Sequence, residues 1–454
     1  MNTWVSSAAL AWLQVILEER FGHAFSLHTR PDNTLIMSLP GDLRCISLAL
    51  DSSTFSRTDS NLPCAQWSAA AEGWHTALLG NLPAPGKAAL DKVLITSTAN
   101  GLHIDYDILG LAYWMLTRQE EVGRTDLDEH GRFPAVASHA YRHNYLERPV
   151  VDEWLHVLGQ VVAKTWPTLI LRQHTFSIKV SHDVDGPSRY GFRSWRGIVR
   201  GMGGDVFRRG DLVGALRAPW IRWRTKTELH PLDPSNTFEW IMDLSERHGL
   251  VSAFYFICGR TSSLDADYQP EHPAIRTLMR RIHQRGHEIG LHPSYGSYQK
   301  PDVIRTEALR LRRIAEEEGL VQSEWGGRMH YLRWEQPTTL RAWADAGMSY
   351  DSTLGYADRP GFRCGTCFEY PAFDPIENKE LPLRVRPLVA MECTVMSPLY
   401  MGLGTGDIAL NKFQQIKNAC CALGGCFTLL WHNSQFEMQS KQALYEEILL
   451  SSFR

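Results

Sequence analysis

The segment FSIKVSHDVDG, from Phe176 to Gly186, has the pattern of a short β-strand that ends in a cluster of acidic residues. Apolar and polar residues alternate as in a half-buried strand, and Asp183 and Asp185 follow at its carboxyl end. Two carboxylates at positions i and i+2 can point into one pocket where a strand bends into its loop. One can bind a divalent cation while the other acts as a base toward water. The segment therefore predicts a strand that carries part of a site.

Strands and helices alternate along the chain beyond this segment. We predict helices over 236–248, 273–285, 306–318 and 337–346, and strands over 251–257 and 287–292. Further strands are predicted within SEWGGRMHYL, MSYDSTLG, PLVAMECTV and CFTLLWHNS. Such alternation is typical of a parallel α/β sheet or barrel, in which polar residues at the carboxyl ends of the strands line the active site.

Histidines stand at the ends of three predicted strands. GHEIGLHP contains His292, GGRMHY contains Arg328 and His330, and LLWHNS contains His432. A single histidine is more often a hydrogen-bonded structural residue than a ligand. Together, at the ends of strands in one array, these residues predict a metal or acid–base site.

We expect two domains in the 454 residues. Residues 1–172 are predicted to form a smaller α+β domain, and residues 173–454 the larger α/β domain, with an insertion rich in Arg and Trp at about 187–234. Between positions 189 and 226 this insertion has ten basic residues and two acidic ones. It could bind an anionic part of a substrate, rest on a membrane surface, or be a solvated helical insertion.

The composition limits the classes of partner and the compartment. The formal net charge of −3 gives no indication of a nucleic-acid partner. The nine cysteines are odd in number and scattered, and the Cys364–Cys367 pair has no second pair for structural zinc, so free thiols in a reducing compartment are expected. The first residues lack a basic leader, and no apolar run is long enough for a transmembrane segment. We therefore expect a cytoplasmic protein; nothing in the sequence predicts its oligomeric state.

From about Ser177 to Ser434, these motifs resemble the NodB-type polysaccharide deacetylase domain, the catalytic module of carbohydrate esterase family 4. SHDVDG resembles the first motif in its D-x-D form, and GHEIGLH matches the second. GGRMHY takes the place of the arginine-containing third motif, and LLWHNS corresponds to the last. The resemblance implies a distorted (β/α) barrel and one divalent metal ion, which we expect to be zinc, held by an aspartate and two histidines.

The resemblance also implies roles for individual residues. Asp183 would be the general base, oriented by Arg328, and His432 would protonate the leaving amine. Asp185 and His292 would be metal ligands. YDS at 350–352 resembles the fourth motif, which shapes the acetyl-group pocket. The expected substrate contacts are Asp351, Tyr331 and Arg363, although Arg363 could equally be an ion-paired loop residue.

The sequence departs from the family pattern at the second metal histidine. The family has this histidine four residues after the first, where this chain has Gly296. His330 is the best candidate for the third ligand, and His182 and His287 are weaker ones. A site completed by water, or a metal-free site as in allantoinase-like relatives, is the alternative. The segment 361–374 has no counterpart among the standard motifs and resembles a feature of a divergent H-D-V-D subgroup with an N-terminal extension.

The implied activity is hydrolysis of an N-acyl group of an amino sugar or sugar nucleotide, in the cytoplasmic synthesis of surface polysaccharide precursors. One alternative is an allantoinase-like hydrolase of another C–N bond. Another is a non-catalytic carbohydrate-binding relative. A two-carboxylate glycosidase would leave the histidines without a role.

Overall fold

The computed structural model of the chain describes residues 3–90 and 93–450. Its first part, up to about residue 170, contains two small sheets and four α-helices. The strands are β1 (Ser26–Arg30), β2 (Thr34–Ser38), β3 (Cys45–Ala49), β4 (Cys64–Trp67), β5 (Leu82–Pro85), β6 (Ile95–Thr98) and β7 (Gly101–Ile104). The helices are α1 (Ser7–Phe21), α2 (Ile108–Leu116), α3 (His139–Arg142) and α4 (Val150–Thr165).

The larger of these sheets has the strand order β1-β2-β3-β7-β6, in which only the β3–β7 pair is parallel; β4 and β5 pair antiparallel on their own. The helices begin where the sequence offers a cap. The hydroxyl of Ser6 accepts a hydrogen bond from the amide of Ala9 at the start of α1, and the carboxylate of Asp107 accepts one from Gly110 in α2.

The rest of the chain forms a sheet of nine strands with helices between them. The strands are β8 (Ser177–Val184), β9 (Ser252–Ile257), β10 (Glu288–His292), β11 (Gly326–Gly327), β12 (Tyr350–Asp351), β13 (Tyr370–Asp374), β14 (Lys379–Val385), β15 (Ala390–Met391) and β16 (Cys426–Leu430). The helices are α5 (Trp195–Gly204), α6 (Leu212–Arg224), α7 (Phe238–Arg247), α8 (Pro273–Gln284), α9 (Pro301–Glu317), α10 (Thr338–Asp345), α11 (Glu392–Met396), α12 (Asp407–Ala422) and α13 (Gln439–Leu450).

The strand order of this sheet is β13-β14-β12-β11-β10-β9-β8-β16-β15. All neighbours are parallel except β13 and β14, which form an antiparallel pair at one edge. The predicted parallel α/β architecture is thus present. Hydrogen bonds between described residues do not join the edge strands β13 and β15, so closure into a barrel stays a prediction.

The predicted elements differ from the observed ones mainly where the chain reaches the carboxyl edge of the sheet. In SEWGGRMHYL only Gly326 and Gly327 are a strand, and the chain then bends into a 3-10 turn. A Cβ atom at Gly327 would lie 1.9 Å from the carbonyl oxygen of Leu291, so this close approach requires glycine. In PLVAMECTV the strand ends at Met391, and α11 begins directly with Glu392.

The first part of the chain packs directly on the nine-stranded sheet. Trp12 of α1 lies 5.0 Å, ring to ring, from Phe373 of β13, and its indole N–H donates to the carbonyl oxygen of Pro371 at 2.8 Å. Asp152 of α4 accepts hydrogen bonds from Thr366 and from the amide of Cys367. One continuous set of buried apolar side chains extends through both parts. The boundary near residue 172 stays a prediction.

The nine cysteines are free, as predicted. Within the described part of the chain, no helix has the length and apolar character needed to cross a membrane.

Candidate metal centre and active site

A cavity of about 470 Å³ opens at the carboxyl ends of the central strands. Residues that follow β8, β10, β11 and β16 line it, because the carboxyl ends of parallel strands meet at one edge of the sheet. The side chains predicted from the sequence that line this cavity are Asp183, Asp185, His292, His330, Tyr331 and His432.

Three of these side chains form a compact group with suitable atoms for a metal ion. The Oδ1 atom of Asp185 lies 3.3 Å from Nε2 of His292 and 3.7 Å from Nε2 of His330. One potential ligand atom from each of these residues falls within 4.8 Å of the other two. The structure therefore brings together the three residues expected to hold the metal.

The two histidines are oriented by hydrogen bonds on the far side of their rings. Nδ1 of His292 is 2.6 Å from the backbone carbonyl of Arg328, so it carries the proton and leaves Nε2 free to bind a cation. Nδ1 of His330 lies 3.1 Å from a carboxylate oxygen of Asp265. Burial lowers the pKa of His330, but the Asp185 and Asp265 carboxylates outweigh it and raise that pKa to about 9.

Asp265 is itself held firmly. Its side chain accepts hydrogen bonds from the amides of Thr261, Ser262 and Tyr295, at 2.7 to 2.8 Å. Burial would raise the pKa of Asp265, but His330 and these amides lower it to about 2. The sequence analysis did not identify this residue, because it lies in a long loop after β9 and has no motif around it.

Two buried atoms of the group lack a hydrogen bond from any described residue. They are Oδ1 of Asp185 and Nε2 of His292, which face each other. Buried polar atoms nearly always have a partner, and a divalent cation would supply one to both atoms. An aspartate with two imidazoles is a donor set that suits Zn²⁺, with a position left for water or substrate. The residues present thus fit a divalent metal ion.

The candidate for the third ligand follows a different strand from the one that the family pattern implies. The amide of Gly296 donates to the hydroxyl of Thr261 at 2.7 Å, and a Cβ atom at 296 would lie 2.7 Å from that same oxygen. No side chain fits there unless Thr261 moves. His330, which follows β11, reaches the position near Asp185 instead.

Asp183 lies beside the group formed by Asp185, His292 and His330, and its carboxylate is held by Arg328. Its Oδ1 atom accepts from a guanidinium nitrogen of Arg328 at 2.8 Å, and its Oδ2 atom lies 3.6 Å from Nε2 of His292. The guanidinium also donates to the hydroxyls of Ser181 and Ser352 and is completely buried. Burial would raise the pKa of Asp183, but Arg328 holds it below the usual value, so the carboxylate is ionised at neutral pH.

His432 lies on the other side of Asp185. Its Nε2 atom is 3.6 Å from Oδ2 of Asp185, and its Nδ1 atom is 2.5 Å from a carboxylate oxygen of Glu392. Burial lowers the pKa of His432, but the Glu392 carboxylate raises it well above the usual value. Glu392, Cys393 and His432 also lie close enough to form a second group of potential ligands. Glu392 was missed because the sequence placed it inside a strand.

The predicted substrate residues have different positions. Tyr331 lines the cavity, but Asp351 and Arg363 do not. Asp351 is fully buried, and its carboxylate accepts hydrogen bonds from Thr353. The Arg363 side chain is buried in an ion pair with Glu121 at 2.5 Å. Arg363 is thus an ion-paired loop residue in the structure, and neither Arg363 nor Asp351 lines the cavity.

The two weaker candidates for the third ligand point away from the cavity. His182 is fully buried and hydrogen-bonds to the carbonyl of Trp431 at 2.7 Å, because side chains alternate across β8 and Asp183 occupies the other face. Nδ1 of His287 accepts the amide proton of Ser252 at 3.1 Å. Both are structural histidines.

The first part of the chain also contributes to the cavity, which the sequence analysis did not foresee. Glu129, His130 and Arg132 line it beside Tyr331 and Tyr400. They lie in the polar loop that follows α2. Loop residues of one part that meet a site built by another part leave no local signal in the sequence.

Three solved structures are similar to about three fifths of this chain, at low sequence identity. One solved structure, from Mycobacterium smegmatis, is provisionally described as a polysaccharide deacetylase. It is 18% identical to this chain, with a TM-score of 0.38, and the match covers 61% of this chain and 84% of that one. The Puue allantoinase has 13% identity and a TM-score of 0.37, over 61% and 83% of the two chains. A second provisionally described polysaccharide deacetylase, from Pseudomonas aeruginosa PAO1, has 16% identity and a TM-score of 0.35, over 61% and 84%.

At these TM-scores the likeness carries no argument about chemistry. No curated protein matches the sequence. One family model matches residues 8–167, and it describes a family of unknown function, DUF7033.

Proposed function

We propose that the chain is a metal-dependent hydrolase that removes an N-acyl group from an amino sugar. One observation carries the proposal: Asp185, His292 and His330 converge in a cavity, flanked by Asp183 on one side and His432 on the other. A metal-ligand group alone could be structural. A structural site, however, has no need for an ionised carboxylate and a protonated imidazole at its open face.

The flanking residues suit the two proton transfers of amide hydrolysis. Asp183, ionised and locked by Arg328, can accept a proton from the attacking water. His432, held protonated by Glu392, can donate a proton to the leaving amine. Their opposite protonation states are set by a buried arginine and a buried glutamate. This arrangement separates the base from the acid in one site.

A divalent cation bound by Asp185, His292 and His330 would polarise the acyl carbonyl and lower the pKa of a water molecule. The protein's own residues would fix the acyl group and the sugar. The cavity volume is within the range of small-molecule sites, and Tyr331 and Tyr400 provide aromatic surface for a sugar ring. The motif resemblance favours an acetamido group as the bond that is cleaved. We place this activity in the cytoplasmic synthesis of surface polysaccharide precursors, with a sugar nucleotide as the first substrate to test.

The test combines metal analysis with an activity screen. Purified protein is loaded with Zn²⁺, dialysed and analysed for metal, together with His292→Ala, His330→Ala and the control His28→Ala, which changes an exposed histidine on β1. We expect one cation per chain in the wild type and the control, and loss of the cation in both site variants. Acetate release from N-acetyl sugar nucleotides should follow metal occupancy.

Other outcomes point to other functions. A wild type that binds no metal would contradict the proposal and favour a non-catalytic binder or a metal-free relative. A metal-loaded protein that opens allantoin but releases no acetate from amino sugars would favour the allantoinase-like reaction, because the same residues can hydrolyse a ring amide.

A further inference from the structure

The insertion between β8 and α7 presents a large apolar surface to solvent. Helices α5 and α6 pack together through small buried contacts that include Ile198, Ala218 and Ile221. Their outer faces carry large apolar side chains that are 52–78% exposed. These side chains, together called the outer face, are Trp195, Val199, Leu212, Val213, Leu216, Trp220 and Trp223.

On each helix the exposed apolar side chains of the outer face cluster on one side. At about 100° per residue, Leu212, Leu216 and Trp223 of α6 fall within about 40° of one another around the helix. The buried Ala218 and Ile221 lie on the other side of α6, about 140–160° from the middle of this stripe. In α5, Trp195 and Val199 are one turn apart and about 40° from each other around the helix, and the buried Ile198 lies about 60–100° away from them. Soluble proteins rarely expose a contiguous apolar surface of this kind unless it contacts a partner or a membrane.

Basic residues border the outer face, and acidic ones are withdrawn from it. The exposed basic side chains are those of Arg196, Arg200, Arg217, Arg224 and Lys226. Arg196, Arg200 and Arg217 form no ion pair with any described residue. Of the two acids, Asp205 is fully buried and Asp211 caps α6.

We infer that helices α5 and α6, together called the hairpin, dock on a membrane surface that contains anionic lipids. The apolar stripe would enter the boundary between headgroups and acyl chains, while the flanking arginines would face the lipid phosphates. Trp220 and Trp223 suit this boundary because an indole has a large apolar ring and a polar N–H group. The guanidinium of Arg224 lies 5.4 Å from the Trp220 ring. The surplus of unpaired positive charge selects an anionic lipid surface over a second copy of this chain, whose arginines would repel.

The experiment measures binding of the full chain to vesicles by flotation. One set contains phosphatidylcholine alone, and the other contains about one third phosphatidylglycerol. The apolar variant is Leu216→Ser with Trp220→Ser, and the charge variant is Arg196→Gln with Arg217→Gln. The control, Leu309→Ser with Val321→Ser, removes two exposed apolar side chains at a distance from the hairpin.

We expect wild type and control to float with anionic vesicles and much less with neutral ones. The charge variant should bind about fivefold more weakly per arginine lost. The apolar variant should bind the anionic vesicles at least about tenfold more weakly than the wild type. Unchanged thermal unfolding of the variants excludes misfolding. Equal binding of all four proteins, or no binding by the wild type, would overturn the inference. So would a dimer in solution that only the hairpin variants dissociate, because the outer face would then be a contact between copies.

A second inference comes from an independent observation at the cavity and rests on the proposed metal centre. Tyr331 and Leu332, directly after His330, have φ angles of 62° and 56°. Consecutive left-handed residues other than glycine are costly and persist only where their surroundings fix them. The loop Asp128–Arg132 of the first part of the chain provides these surroundings.

Two residues of that loop contact the turn that contains Tyr331 and Leu332. Arg132 donates from Nη1 to the carbonyl of Tyr331 at 3.1 Å, and its Nε donates to Asp128 at 2.7 Å. The ring of His130 lies 4.7 Å from the Tyr331 ring, and its backbone carbonyl accepts from Arg333 at 2.7 Å. The turn that presents the third ligand is thus held by residues more than 190 positions earlier in the chain.

We propose that Arg132 is a positioning residue for His330, so that the first part of the chain completes the metal centre. The variant Arg132→Met keeps the length of the side chain but removes its donors, and Arg132→Lys restores the charge. The control is Arg142→Met, because Arg142 donates to Asn61 away from the cavity. Each protein is titrated with Co²⁺ against a chelator, and its visible absorption spectrum is recorded.

We expect Arg132→Met to bind Co²⁺ about 10- to 100-fold more weakly, with an altered spectrum, as for loss of an outer-shell partner. Arg132→Lys should recover part of the affinity, and the control should match the wild type. A wild type that fails to bind Co²⁺ contradicts the metal centre itself. A wild type that binds, with an unchanged affinity and spectrum in Arg132→Met, overturns the positioning role alone.

Discussion

Glu392→Gln tests how the site keeps its acid protonated. Glu392 is fully buried, and one of its oxygens lies 2.5 Å from Nδ1 of His432 and 3.2 Å from the His432 amide. Glutamine has the same shape and can accept the same Nδ1–H bond. The variant therefore changes the charge on the partner of His432 and leaves its orientation nearly intact.

The magnitude follows from the type of hydrogen bond that is lost. A bond to a charged group contributes about 1.5–3 kcal/mol, and a neutral one about 0.5–1.5 kcal/mol. The difference between the midpoints, about 1.25 kcal/mol, corresponds to about an eightfold loss in kcat/KM above neutral pH. Because the carboxylate raises the pKa of His432, its removal lowers that pKa, and activity should fall at a lower pH than in the wild type. At pH values below that transition, the kcat/KM values of the wild type and Glu392→Gln should become similar.

The assay is kcat/KM against pH for the metal-loaded wild type, Glu392→Gln and His432→Asn. We expect the basic limb to move to lower pH in Glu392→Gln. At pH values below the wild-type basic limb, His432→Asn should lose about 100- to 10,000-fold, because it lacks the acid altogether. An unchanged basic limb in Glu392→Gln, with equal metal content, would refute the assignment of Glu392 as the group that keeps His432 protonated.

Three further predictions address the remaining residues. Asp183→Asn should retain its metal and lose at least about 100-fold in kcat, as measured by metal analysis and steady-state rates; loss of the metal would show that Asp183 is a ligand instead. Asp265→Asn should weaken Zn²⁺ binding about 10- to 100-fold in a chelator titration, because His330 loses its carboxylate partner, and an unchanged affinity would exclude that role. Arg363→Met should cost about 3–5 kcal/mol in unfolding free energy measured with urea, because Glu121 is left buried with less neutralising charge, whereas a loss of substrate affinity at unchanged stability would restore Arg363 to the site.

The central part of the fold could be predicted because its strands leave a strong local signal. β9 is a run of buried, mostly apolar residues, and β10 buries every residue after Glu288; both strands lie between amphipathic helices, and their observed bounds differ by one residue from the predicted ones. Strand ends at the site were harder to predict. At Glu392 the backbone leaves the sheet to bring a carboxylate to His432, and residue preferences alone do not show this bend.

The candidate site was also predictable only in part. Asp183, Asp185, His292 and His432 stand at strand ends, so their convergence follows from the parallel arrangement. The residues that orient them act across long sequence separations, and no pattern in the neighbouring sequence marks them. Asp265 is 65 positions before His330. Glu392 is 40 positions before His432.

The position of β8 in the sheet has a consequence for synthesis. One neighbour of β8 is β16, and the hydrogen bond between His182 and Trp431 joins residues 249 positions apart. At a translation rate of about 5–20 residues per second, β8 and the two acids at its carboxyl end are made about 10–50 s before this neighbour. Until then one edge of β8 is unpaired, and His432 does not yet exist. The nascent chain therefore needs protection at this edge from pairing with other strands, and the proton donor is the last part of the site to be made.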